Sequence, residues 1–139
     1  MLRRRPDVSA FAGVALFDRY DARTLAPLAP HADRLVVTPG QTLVQEGHRG
    51  REVVVILSGE AIVTRSGVEV GRLGPGAVLG AREELAGTPH ATSVVAAGGV
   101  SALVLTGRAF RWAAQALPGF EAPVAQPRSQ PRRRGAAAA

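Results

Sequence analysis

The sequence predicts a mainly β domain, an eight-stranded antiparallel β-roll of the jelly-roll kind with flanking helices. Three observations carry that prediction. Between Leu35 and Thr106 the chain breaks into short apolar runs rich in β-branched residues. Glycines at Gly40, Gly47, Gly59, Gly67, Gly74, Gly80 and Gly98-Gly99 punctuate those runs, which is the turn spacing of a sandwich or barrel. Helical spacing of apolar residues brackets this stretch, at Leu25 and Leu28 before it and at Phe110, Ala113, Ala114 and Leu117 after it.

Taken in order, "DARTLAPLAPHADRL" reads as a leading helix, with Asp21 as its N-cap and Pro27 and Pro30 keeping it short. "LVVTPGQTLVQEG" gives two strands around a Pro-Gly turn. "REVVVILSGEAIVTRSGVEVGRL" gives three more, joined at Ser58-Gly59 and Ser66-Gly67, and "ATSVVAAGGVSALVLT" a hairpin through Gly98-Gly99. The closing helix, "TGRAFRWAAQALPGF", is stopped by Leu117-Pro118-Gly119. Beyond Phe120 the composition shifts to Pro, Gln, Arg and Ala, too poor in apolar surface to fold, so residues 121–139 are expected to be a disordered tail.

Composition narrows the functional classes. A chain of 139 residues, 46% hydrophobic and 20% charged, supplies one core and not two. The net charge of +6 points towards nucleic acid, but seven of the 17 arginines lie at the ends: Arg3, Arg4, Arg5, Arg128, Arg132, Arg133 and Arg134. Without them 10 arginines face 11 carboxylates, so the body carries about −1. The absence of cysteine excludes disulfides, thiolate metal sites and a cysteine nucleophile. Asp7 interrupts the leading apolar run, which argues against a signal peptide, and no apolar segment approaches the roughly 20 residues of a membrane span. A soluble, cytoplasmic protein without membrane contact is expected.

These patterns together resemble the cyclic nucleotide-binding domain family. The resemblance runs from about Val14 to Phe120, which leaves residues 1–13 as a basic N-terminal segment. "PGQTLVQEGHRGREVVVILSGEAIV" is similar to the family's glycine-punctuated strands, and "RLGPGAVLGAREELAGTPHATSVVA" matches its phosphate-binding cassette in length and order. The resemblance implies a pocket formed by Leu79, Gly80, Ala81, Arg82, His90, Ala91 and Thr92. In the family a glycine turn lets backbone amides at the head of a short helix approach the cyclic phosphate. A glutamate after that glycine takes the ribose hydroxyl, and an arginine about nine residues later neutralises the phosphate. Here Ala81 stands at the glutamate position and His90 at the arginine position.

Losing one partner of a buried charge pair costs about 2–5 kcal/mol, and about 1.4 kcal/mol is tenfold in affinity. The implied ligand is therefore a cyclic nucleotide held weakly. Ala91, where cGMP-preferring members often have threonine, favours cAMP over cGMP. Three substitutes for the lost anchors are open. Arg82 sits about 100° around the helix from position 81, Glu84 lies a turn further on, and His90 has an imidazole N–H. Against them, Arg82, Glu83 and Glu84 read equally as a solvated helix face, and His90 as a loop residue at a pocket rim.

The resemblance implies a regulatory, non-enzymatic module without a cofactor. After Phe120, Pro123, Pro127 and Pro131 prevent a longer closing helix, so its output would pass through surface contacts with an unidentified protein partner. The same fold used as a ligand-independent interaction domain is the alternative. A cupin-like metal enzyme is another, since Gly40 to Gly59 fits the spacing of the cupins' first metal motif with Glu46, His48 and Glu52 as ligands. The second cupin motif is missing, with His31 in the leading helix and His90 in the cassette, so no metal is assigned. The arginine tails could also hold nucleic-acid phosphates, without aromatic residues interleaved among them.

Overall fold

The structure, a computed structural model, describes residues 8–120; the first seven residues and the tail at 121–139 lie outside them. The helix α1 (Ala22–Leu25) leads through a 3-10 stretch, Ala26–His31, into β1 (Ala32–Val37) and β2 (Thr42–Val44). Then come β3 (Glu52–Ser58), β4 (Ala61–Arg65), β5 (Val68–Leu73), the two-residue β6 (Val78–Leu79) and helix α2 (Ala81–Ala86). The strands β7 (Ser93–Ala96) and β8 (Val100–Thr106) and helix α3 (Gly107–Ala116) complete the chain's order. Two four-stranded sheets result, ordered β1-β8-β3-β6 and β2-β7-β4-β5, with every pairing antiparallel. This is the β-roll that the sequence predicts.

The unbroken apolar run of β3 has a simple cause. Alternate residues of a strand face opposite ways, and β3 is covered on both faces. Val53 and Val55 enter a layer with the helices, whereas Val54 and Ile56 enter the layer between the sheets. Strand β8 divides likewise, with Leu103 and Leu105 on the helical side and Val100 and Ala102 on the other. The helical layer holds the aromatic residues Phe11, Phe17 and Phe110, and the inter-sheet layer is aliphatic throughout.

Local chemistry sets the ends of the elements. The Asp21 carboxylate accepts the Thr24 amide at 2.8 Å, making it the expected N-cap, and that backbone bond holds its pKa below the ordinary carboxylate value. The sequence reading starts the first strand at Leu35, whereas β1 begins at Ala32. Pro27 and Pro30 supply no amide to an α-helical ladder, so the chain tightens into 3-10 geometry and leaves early to pair along β8. In the β4–β5 hairpin both turn residues have positive φ, +52° at Ser66 and +82° at Gly67, as a two-residue primed turn requires. A bond from the Ser66 amide to Glu46 Oε1, 2.9 Å, pins that turn.

Ahead of Val14, residues of the expected N-terminal segment already pack on the body. Phe11 is buried and meets Phe17 edge to face at 4.9 Å, and the Arg34 guanidinium donates to the carbonyls of Ala10 and Ala12. The segment ahead of α1 also meets the C-terminal end of the described residues. Phe17 stacks on Phe120 at 5.9 Å, the Tyr20 hydroxyl donates to Pro118 O at 2.7 Å, and Arg19 donates to Gly119 O at 3.3 Å.

Candidate functional site

Gly80 joins β6 to α2 with φ +87°, in the left-handed region where a side chain is strained. A Cβ there would also stand 2.9 Å from Glu52 O and 3.5 Å from His90 Cε1. Having no side chain, Gly80 cannot cap α2. Its carbonyl accepts the Glu84 amide at 2.9 Å, and the amides of Ala81, Arg82 and Glu83 have no partner among the described residues. The helix lasts six residues and closes on Gly87, also left-handed at φ +72°.

At the head of α2 lies a cavity of about 190 Å³. Every residue that the sequence assigns to the pocket lines it: Leu79, Gly80, Ala81, Arg82, His90, Ala91 and Thr92. Strands of the second sheet supply an apolar wall through Val44, Val63 and Val94, completed by Leu73 and Val78. Sequence reasoning missed Arg65, which also lines the cavity. Its signal is positional: it is the last residue of β4 before the pinned Ser66-Gly67 turn.

His90 is no rim residue. It is only 8% exposed, and its backbone is clamped on both sides, donating to His48 O at 3.0 Å and accepting from Gly47 N at 2.8 Å. The imidazole lies against Gly50 so closely that a Cβ on Gly50 would collide with Nε2. Among the described residues that ring has no hydrogen-bond partner, although a buried polar group ordinarily has one. The methyl of Ala81 is 2% exposed. At positions 81 and 90 the cavity therefore meets a methyl group and an imidazole, with Arg65 and Arg82 exposed at the margin and Glu83 half-buried.

A family profile described as the cyclic nucleotide-binding domain matches residues 34–116, more than half of the 139-residue chain. The chain belongs to the cyclic nucleotide-binding domain family. Solved structures agree with that membership. A variant of the cAMP-binding acyltransferase from Mycobacterium smegmatis is 27% identical, with a TM-score of 0.70, covering 81% of this chain and 36% of its own. The regulatory domain of Toxoplasma gondii PKA with cAMP is 24% identical, with a TM-score of 0.63 and coverage of 74% and 42%. The regulatory subunit of a cAMP-independent protein kinase A from Trypanosoma cruzi, bound to guanosine, shares the fold at 22% identity and a TM-score of 0.66, covering 78% of this chain and 40% of its own. This cyclic nucleotide-binding domain thus spans less than half the length of those three proteins. No curated protein sequence matches it.

Within this cyclic nucleotide-binding domain the candidate substitutes separate. Glu84 is not a solvated residue, because its side chain is only 10% exposed and its carboxylate pairs with the Arg111 guanidinium on α3. It does not line the cavity. Arg82 does, although its position around the helix argued otherwise. Of the three residues in the metal alternative, Glu46 is engaged by the Ser66 amide, and among the described residues no three His, Cys, Asp or Glu side chains cluster closely enough to share an ion. No described helix is long and apolar enough to cross a membrane.

Proposed function

We propose that this domain is a regulatory, non-catalytic module of the cyclic nucleotide-binding type, with a cassette retuned to hold its nucleotide weakly. One observation carries the reading: all seven cassette residues border a single cavity, at the head of a helix whose first three amides are unbonded among the described residues. Such amides attract an anion, so the backbone half of a cyclic-phosphate cradle is in place. The side-chain half is a methyl group at Ala81 and an imidazole ring at His90. Affinity is correspondingly low, and with Ala91 beside the phosphate position cAMP is preferred to cGMP. The signal leaves through surface contacts with a protein partner, in the cytoplasm.

Titration calorimetry with cAMP and cGMP, on wild type, Ala81→Glu, His90→Arg and the double variant, tests this. Wild type should bind no better than at high micromolar concentration. The double variant should gain at least about tenfold in cAMP affinity, and more than the two single gains combined, because both side chains hold one ligand. Placing a carboxylate at the buried Ala81 position should lower the thermal midpoint without nucleotide, and ligand should restore it. A folded double variant that binds neither nucleotide would transfer the module to the ligand-independent interaction class.

A further inference from the structure

A second hollow, of about 660 Å³, lies between the loop ahead of β3, helix α2 and the first turns of α3, and it shares no lining residue with the cassette cavity. Arg49, Arg51, Arg108 and Arg111 line it, with Glu84 as its one carboxylate. Between residues 8 and 120 ten arginines accompany nine carboxylates, so four arginines around one hollow is a local concentration that the body's balance does not account for. Among the described residues only Arg111 of the four has an ion pair, with Glu84. The guanidinium groups of Arg49, Arg51 and Arg108 have neither ion pair nor hydrogen bond there. Cations gathered in a concave place repel one another and concentrate anions.

We propose that this hollow binds a compact polyphosphate anion. Planar guanidinium forks match the oxygen spacing of phosphate groups, and three unpaired forks from two separate elements call for more than one phosphate. The hollow is bounded by a loop and two helices and opens to solvent, a shape that suits a compact ion; a nucleic-acid strand would need a cationic groove running on past it. Glu84 shows how the hollow treats an anion. Its carboxylate lies on Arg111 and against Gly107, where the missing Cβ leaves room for it at the start of α3. An incoming phosphate competes with that carboxylate for Arg111.

The two signs of charge make the test directional. Full-length protein is titrated with inorganic triphosphate at fixed ionic strength. Wild type should bind it, a variant combining Arg49→Gln, Arg51→Gln and Arg108→Gln should bind at least about tenfold more weakly, and Glu84→Gln should bind more tightly. All three arginines are exposed, so circular dichroism should report an unchanged fold. The seven terminal arginines are intact in every variant. Binding that survives the triple substitution unchanged therefore belongs to the chain ends and overturns the proposal. So does a Glu84→Gln variant that binds no better than wild type, or a protein that binds a single-stranded oligonucleotide and not triphosphate.

Discussion

The cassette cavity and the arginine hollow share the helix α2 and are built from opposite materials. The cavity is a work of backbone shape: two left-handed glycines bound α2, valines wall one side, and its buried polar side chain, His90, carries no partner among the described residues. The hollow is a work of side-chain charge, with four arginines around one carboxylate. The seven residues grouped by the family resemblance border one cavity in this chain, and its concentrated cationic charge lies elsewhere. Shape and charge at a binding site are thus separable. Glycines and apolar packing preserve the first, and a few exposed side chains decide the second.

Breaking the shape should therefore cost more than disturbing the charge. The largest effect is expected from Gly80→Ala, which combines a left-handed backbone with a Cβ 2.9 Å from Glu52 O. Denaturant unfolding should show a loss of at least about 2 kcal/mol. A loss below half that value would mean that the β6–α2 joint is not rigid. Next comes Gly50→Ala, whose Cβ collides with the His90 imidazole. Overpacking of this kind costs about 1–3 kcal/mol, and His90→Ala in the same chain should relieve most of it. If the two losses simply add, His90 does not occupy the space over Gly50 in solution.

The smallest of the three sharpens the hollow's side of the comparison. The Thr106 hydroxyl accepts the Ala109 amide at 3.1 Å and caps α3, whose first turn borders the arginines. Thr106→Ala should cost about 1 kcal/mol and leave cyclic-nucleotide titrations of the cavity unchanged. A shift in those titrations would show that the two hollows communicate through α3 and not only through α2.

The sheets were legible in the sequence because short β-branched runs and glycine turns are local signals. Asp21 as a cap and Ser66-Gly67 as a hairpin turn were readable for the same reason. Strand β6 is two residues long and exists only because Val54 and Val55 pair with it, so no local pattern could announce it. That the seven residues grouped by the resemblance would border one cavity could be expected from the sequence, yet the state of their side chains could not. Whether His90 sits at a rim or under Gly50, and whether Glu84 faces water or Arg111, depends on partners 40 and 27 residues away in the chain. Arg65 was missed because its approach to the cavity follows from a hairpin in the other sheet.

The stacking of Phe17 on Phe120, with the Tyr20 and Arg19 bonds to residues 118 and 119, brings both flanks of the folded body to one spot. Its consequence is architectural. Cutting the chain ahead of Pro118 would strip Phe17, Arg19 and Tyr20 of these partners at once, so the segment before α1 and the segment after α3 hold or loosen together.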